Sequence, residues 1–159
     1  MVKRGRRWMI VPNFHGKYYN AIDAKGRVIV PAPFRDIIRS NYSTKLYITN
    51  SPTENCLNIY PQEEWQNLLS KISELPPSDR AVKKYRYRVI ASAHDCELDK
   101  QGRILVPSSL RADGKLGSEI AVIGQIHWIQ IWDKNEWESM MSLTDIDGDY
   151  EDKLAELGL

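Results

Sequence analysis

Two short turns carry the residues whose types and spacing point to chemistry. They lie in the stretches IDAKGRVIVPAPFR (22–35) and LDKQGRILVPSSLR (98–111), which match at a constant offset of 76 residues. Within each turn an aspartate, a glycine and the following arginine are the same in both copies: Asp23, Gly26 and Arg27, then Asp99, Gly102 and Arg103. One charged turn is therefore used twice in a chain of 159 residues.

The aspartates and glycines have a structural explanation. Asp at the first position and Gly at the fourth are typical of a type I turn followed by a left-handed residue, as in hairpin loops. The Asp carboxylate can accept hydrogen bonds from amides inside the turn, and Gly adopts the positive φ that other residues resist. We therefore expect Gly26 and Gly102 to form the turns, and Asp23 and Asp99 to set their shape.

The arginines are not explained by the turn alone. A β-turn needs no arginine after its glycine, and the runs VIV (28–30) and ILV (104–106) predict strands buried on both faces. A guanidinium fork near the ammonium of Lys25 or Lys100 suits phosphate oxygens or the O6/N7 edge of guanine. The alternative is an internal Asp–Arg pair in each hairpin, which contributes about 0–1 kcal/mol when exposed.

Two further arginines recur at the same offset, Arg35 and Arg111. Each follows a P-x-x-[FL] segment at the start of a predicted helical turn. For this pair the sequence favours a capping or salt-bridge role over contact with a ligand.

Catalytic and metal-binding patterns are absent from the sequence. His15, His94 and His127 have no metal-ligand spacing, and no HExxH, Gly-rich phosphate loop or serine elbow occurs. Cys56 and Cys96 are too few for a disulfide framework or a four-cysteine zinc site, and we expect them to be reduced core residues rather than a disulfide or metal ligands. The sequence thus predicts no catalytic residue, metal, cofactor or small-molecule substrate, and a protein that is not an enzyme.

The repetition extends to the elements that must position the turns. CLNIYPQEEWQNL (56–68) aligns with WIQIWDKNEWESM (128–140) at an offset of 72, and LYIT (46–49) with IAVI (120–123). Each half predicts a hairpin, a turn with a helical start, two strands and a helix. We assign a first repeat to residues 14–75 and a second to 92–143.

Residues 76–91 predict a helix that links the repeats. It follows a Pro-Pro break, Ser78 or Asp79 can cap it, and Val82, Tyr85 and Val89 share one face. Its basic face is either solvated or in contact with nucleic acid. Residues 1–13 form a basic N-terminal arm, and 144–159 an acidic C-terminal tail.

Size and composition predict one composite domain. Halves of about 60 residues bury little surface alone, so two copies are expected to pack about a pseudo-two-fold axis as a mainly β, α+β fold. The net charge of +1 indicates no particular partner. Since no apolar run approaches a membrane span and the apolar part of the N-terminus is too short for a signal peptide, we expect a cytoplasmic protein with no membrane partner.

The paired segments DAKGRVIVPAPFR and DKQGRILVPSSLR, each followed by two strands and an EEW or NEW helix, resemble the two halves of the bacterial MraZ family. The resemblance implies a tandem, swapped-hairpin β-barrel with flanking helices, related to AbrB-type DNA-binding domains, and a homo-oligomeric ring. It also implies a nucleoid-associated, sequence-specific transcriptional regulator of the division and cell-wall gene cluster. Repeated short G-rich boxes in double-stranded DNA would be its target.

The family's DNA-contacting Asp…Arg signature maps onto Asp23 to Arg27 and Asp99 to Arg103. Arg27 and Arg103 would be the main contacts, Lys25 and Lys100 would bind phosphates, and the aspartates would shape the turns. The second copy departs by having Gln101 where the first has Lys25. The competing hypothesis is a ring-forming scaffold that binds a protein partner through its edge strands and Trp-bearing helices.

Overall fold

The structure, a computed structural model, describes residues 2–4, 7–9, 13–142 and 148–159, the first two segments as backbone only. Part of the predicted basic arm (1, 5, 6 and 10–12) and the start of the predicted acidic tail (144–147) lie outside the described residues. Backbone strands β1 and β2 pair antiparallel within the arm, and helix α6 lies within the tail. Their bounds are Val2–Arg4, Arg7–Met9 and Gly148–Glu156.

Both repeats follow the same order of strand, strand, helix, strand, strand, helix. The first comprises β3 (Lys17–Ala21), β4 (Arg27–Ile29), α1 (Ala32–Asn41), β5 (Lys45–Asn50), β6 (Leu57–Pro61) and α2 (Gln62–Ser73). The second comprises β7 (His94–Glu97), β8 (Arg103–Leu105), α4 (Ser108–Asp113), β9 (Glu119–Gly124), β10 (Ile129–Asp133) and α5 (Lys134–Ser142). Where the sequence predicted only a turn with a helical start, the first repeat has a complete helix of 10 residues, α1.

The segment between the repeats contains α3 (Arg80–Tyr85), which continues into a π-helical turn, Arg86–Ile90. The Asp79 carboxylate caps α3 by accepting from the amides of Ala81 and Val82 at 2.9 and 3.2 Å. Val82 of α3 and Val89 of the π-helical turn are buried. No helix of the described residues has the length and apolar character needed to cross a bilayer.

A six-stranded antiparallel sheet in the order β3-β9-β10-β6-β5-β7 forms the body of the fold. Its two edges are β3 and β7, so the described strands make an open sheet and the expected closed β-barrel is not formed. The coarser expectation of a mainly β, α+β fold is confirmed. The sheet is symmetric about its centre, where the equivalent strands β6 and β10 pair with each other. Moving outward, β5 is matched by β9, and the edge strand β7 is matched by the edge strand β3.

The strand partners cross between the repeats. Strand β3 of the first repeat pairs along its length with β9 of the second, and β7 of the second pairs with β5 of the first. Of the hairpin predicted in each repeat, only the turn is formed, because the two strands that leave the turn pair mainly with strands of the other repeat. Strands β3 and β4 meet at one bridge, Ile22 to Val28, before they separate to different partners.

The main core receives side chains from both repeats. Its fully buried members include Phe14, Phe34 and Ile38 from the first repeat and Leu110 and Ile120 from the second. The opposite face of the sheet is covered by helices: Trp65 of α2 packs there, and Trp137 of α5 packs on Trp132 of β10. Because one core is built from both halves, neither repeat encloses it alone.

Strands β4 and β8 form a separate two-stranded antiparallel ladder with the register Arg27 to Leu105, Val28 to Ile104 and Ile29 to Arg103. The central pair, Val28 and Ile104, joins two repeat-equivalent residues and is buried in the core. The expectation of strands buried on both faces is wrong, because Ile29 and Leu105 are each 54% exposed. Alternation along the strand directs neighbouring side chains to opposite faces, and the outer face of this ladder is not covered.

Candidate nucleic-acid interface

The first turn is closed by its own backbone. The amide of Gly26 donates to the Asp23 carbonyl at 2.9 Å, and the amide of Asp23 donates to the Arg27 carbonyl at 3.1 Å. Gly26 has a φ of 87°, which L side chains rarely adopt. The turn chemistry expected from the sequence is the one observed.

The Asp23 carboxylate holds both the turn and the arginine. Its Oδ1 accepts from the amides of Lys25 and Arg27, each at 2.9 Å, and its Oδ2 accepts from Arg27 Nε at 2.7 Å. The amide hydrogen bond from Arg27, together with its guanidinium and the Lys25 amide, lowers the pKa of the Asp23 carboxyl below its ordinary value, although desolvation acts in the opposite direction.

The second turn repeats this arrangement. Asp99 Oδ1 accepts from the amides of Gln101 and Arg103 at 2.9 and 2.8 Å, and Oδ2 accepts from Arg103 Nε at 3.1 Å. Gly102 has a φ of 77°. The pKa of Asp99 is lowered for the same reasons, with the amide of Arg103 first among them.

The internal Asp–Arg pair, which the sequence offered as the alternative to ligand binding, is therefore present in both turns. It engages only the Nε atom of each guanidinium. Within residues 13–142, where side chains are described without a gap, the Nη atoms of Arg27 and Arg103 donate no hydrogen bond. Their side chains are 37% and 29% exposed. Each aspartate thus fixes the arginine through Nε and leaves the Nη atoms for a ligand.

The two arginines lie at opposite ends of the β4–β8 ladder. In the observed register they are offset by two residues along the strands and by one strand across. Strand dimensions place their Cα atoms roughly 8 Å apart. Alternation places both side chains, with Ile29 and Leu105, on the outer side of the ladder. We call these four side chains the ladder face.

The predicted phosphate ligands Lys25 and Lys100 are exposed residues of the turns themselves. They occupy neighbouring rather than equivalent positions, because Gln101 is the counterpart of Lys25. Within residues 13–142 neither lysine makes an ion pair. Both ammonium groups are therefore accessible beside the ladder face.

Sequence reasoning underrated three arginines that pack against the turn of the other repeat. A Cβ atom at Gly102 would collide with the Arg35 side chain, and one at Gly26 would lie 3.0 Å from Arg111 Nε. Arg39 Nη2 donates to the Asp99 carbonyl at 3.1 Å. The recurrence of Arg35 and Arg111 was the available signal, whereas Arg39 lies outside the matched segments.

Within the part of the chain that the structure describes, no group of three or more His, Cys, Asp or Glu side chains is placed to hold a metal ion. Cys56 and Cys96 are free thiols, and burial raises the pKa of each to about 12. The histidines His15, His94 and His127 are exposed.

Comparison with known proteins identifies the family. A family model described as "MraZ protein, putative antitoxin-like" matches residues 14–85 and 89–155, one match in each half. The chain is 40% identical to "Transcriptional regulator MraZ" of Lachnoclostridium phytofermentans over 146 residues, which cover 92% of this chain and 98% of that protein. It is 37% identical to the protein of the same name in Acetivibrio thermocellus over 147 residues, covering 92% and 99% of the two chains.

A solved structure, the solution structure of PHS018 from Pyrococcus horikoshii, covers 76% of this chain and 96% of that one, at 15% identity and a TM-score of 0.33. That likeness is too weak to inform the fold. The family match and the relatives agree over both repeats and with the resemblance carried by the two turns. The chain belongs to the MraZ family.

Proposed function

We propose that this protein is a DNA-binding transcriptional regulator that inserts the β4–β8 ladder into the major groove of double-stranded DNA. The observation that carries the proposal is the pair of partly exposed arginines held through Nε by their own aspartates, whose Nη atoms donate no hydrogen bond within residues 13–142. The relatives named transcriptional regulators support the same conclusion.

The dimensions of the ladder suit this groove. The major groove of B-DNA is about 12 Å wide and admits a two-stranded β-ribbon. An arginine fork donates to O6 and N7 of guanine, and each such pair discriminates against the wrong base by about 1–3 kcal/mol. With Cα atoms roughly 8 Å apart and base pairs stacked about 3.4 Å apart, Arg27 and Arg103 would contact guanines two to three base pairs apart.

The surrounding residues have separate roles in this proposal. Lys25 and Lys100 bind phosphates, which position the protein without reading sequence. Asp23 and Asp99 do not touch DNA, because their oxygens are already engaged by the turn and the arginine. Arg39 and the arginines packed on the two glycines add positive potential around the turns.

We also propose that the crossed pairing of β3 with β9 and of β7 with β5 is the swapped-hairpin arrangement of AbrB-like domains. In that arrangement residues 14–75 and 92–143 are two repeats of one composite unit joined by 76–91. Each unit offers only two arginine contacts, so useful affinity requires several copies acting together. We therefore propose a homo-oligomeric ring that binds repeated short G-rich boxes upstream of the division and cell-wall gene cluster.

The test is a footprint and a salt titration on the DNA upstream of the protein's own gene. Arg27→Ala and Arg103→Ala should each weaken specific binding about 5- to 150-fold for every box contacted, the equivalent of one lost bidentate contact per subunit. Arg27→Lys is the matched control for charge: lysine keeps the phosphate attraction but loses the fork. It should retain the salt dependence and lose discrimination at one guanine of each box.

Unchanged affinity and discrimination in all three variants would remove the arginines from the interface. A protein that forms rings by size-exclusion chromatography with light scattering, yet protects no DNA at low salt, would instead be the scaffold that binds a protein partner.

A further inference from the structure

Two aliphatic side chains lie exposed on the ladder face between the arginines. Ile29 and Leu105 are repeat-equivalent, and each is 54% exposed. Single exposed aliphatic residues are common on protein surfaces. Here, however, the same exposure occurs at both copies of one position, and the adjacent residues Val28 and Ile104 are buried.

The register places each aliphatic side chain beside an arginine. Leu105 is directly opposite Arg27, and Ile29 is directly opposite Arg103. Cβ atoms of directly opposed residues lie about 4.5–5.5 Å apart. A surface that receives the arginine at one base pair therefore meets the aliphatic side chain within about one or two base steps.

The charge around the pair indicates what covers it. Arg27 and Arg103 flank the aliphatic residues, and Lys25 and Lys100 lie on the adjoining turns. A second copy of the same face would bring these like charges together, which is unfavourable. An anionic partner with apolar groups on its surface fits, and in the major groove the apolar group is the C5-methyl of thymine.

We propose that Ile29 and Leu105 read thymine, each by covering a C5-methyl group next to the guanine contacted by the arginine opposite. This inference rests on the proposed function and adds a second kind of base contact to it. The ladder face then recognises a guanine and a neighbouring thymine twice, once with residues of each repeat. In this proposal the two aliphatic residues determine sequence specificity.

The sharpest test changes the DNA and leaves the protein intact. Replacing thymine by deoxyuridine removes only the C5-methyl group. Loss of one buried methyl-sized group should weaken binding of the full-length protein about fourfold at each contacted position. Deoxyuridine at thymines outside the footprint provides the control and should have no effect.

The protein side of the test uses Ile29→Ser and Leu105→Ser. Each variant should bind the thymine-containing footprint more weakly than the unmodified protein and should lose the response to deoxyuridine at one position of each box. Leu75→Ser is the matched control, because Leu75 is also an exposed aliphatic residue, 44% exposed, but lies beyond the end of α2. Thermal unfolding of each variant checks that the fold is retained.

The outcomes separate this inference from the proposed function. Arginine variants that lose binding, combined with indifference to deoxyuridine throughout the footprint, overturn only the thymine contact. A footprint without thymine near the contacted guanines does the same. Serine variants that keep the full deoxyuridine response, or that alter only the oligomeric state, show that Ile29 and Leu105 do something else. Arginine variants without effect contradict the proposed function itself.

Discussion

At the scale of single residues, the main feature is the division of each guanidinium into an internal and an external edge. Asp23 and Asp99 engage Nε at 2.7 and 3.1 Å, and the same carboxylates accept two amides of the turn. An exposed ion pair of this kind adds little stability. Its value lies in fixing the guanidinium before a ligand arrives, because a preorganised contact loses less conformational entropy on binding.

The lowered carboxyl pKa values predict a specific pH dependence of stability. A carboxyl whose pKa is lower in the folded state than its unfolded value of about 3.9 stabilises the fold above that value. The contribution disappears as the pH falls through the lowered pKa. Removing both carboxylates with Asp23→Asn and Asp99→Asn should therefore lower the free energy of unfolding at pH 7 more than at pH 3.

Urea unfolding of the original protein and the double variant between pH 3 and pH 7 measures this difference. A gap between the two proteins that stays constant over that range would mean that the carboxylates do not stabilise the turns in their ionised form.

The asymmetry between the two turns gives a second prediction. Gln101→Lys would place a lysine at the position that Lys25 occupies in the first turn. Each additional phosphate contact, one per subunit bound, steepens the dependence of log K on log salt concentration by about 0.9 for duplex DNA. The variant should therefore bind more tightly at low salt, and the gain should shrink as salt increases.

Gln66→Lys is the control for this variant, because Gln66 is an exposed glutamine on α2 and adds the same charge away from the turns. Equal slopes for both lysine variants would indicate that net charge, not the turn, determines the salt dependence.

At the scale of elements, the β4–β8 ladder has one structural face and one exposed face. Ile104 is buried at its centre opposite Val28, whereas its neighbour Leu105 is exposed. Ile104→Ala should lower the free energy of unfolding by about 2–5 kcal/mol, the usual range for such a truncation in a core. Leu105→Ala should change it by less than about 1 kcal/mol. Denaturant titration distinguishes them, and similar losses would mean that both faces are packed.

The sequence predicted the elements better than their partners. Repetition and hydrophobic patterning predicted the order of strands and helices, a cap at Ser78 or Asp79, of which Asp79 is the one observed, and the turn chemistry at Gly26 and Gly102. They did not predict the crossed pairing of β3 with β9, since local patterns do not specify which distant strand completes a sheet. The open edges at β3 and β7 follow from the same pairing and replace the expected barrel.

The exposed ladder face was missed for a different reason. Strands β4 and β8 have three residues each, so an uninterrupted apolar run within them is too short to reveal alternation. The contact of Arg35 and Arg111 with the opposite turn likewise depends on the packing of the two repeats. The assignment of Arg27 and Arg103 as the main contacts stays a prediction that the DNA experiments test.

At the scale of the whole molecule, the two repeats depend on each other for burial. Cys56 of the first repeat packs with Ala121, Ile123 and Trp132 of the second. Cys96 of the second repeat lies on β7, opposite Leu46 of the first. Cys56 is buried and Cys96 is half-buried, each against residues of the other repeat, and burial is the main cause that raises the pKa of both to about 12.

This arrangement predicts that the two thiols become reactive together. Because the thiolate is the reactive form, neither should react appreciably with a disulfide reagent at pH 8 in the folded protein. Both should become reactive at the same urea concentration, because separating the repeats exposes both at once. Cys56→Ser and Cys96→Ser give single-thiol proteins in which each midpoint is measured against the loss of tryptophan fluorescence. The midpoints of the two proteins are compared after correction for any change in stability. Different midpoints would mean that one repeat opens while the other stays folded. A core built from both repeats does not permit this.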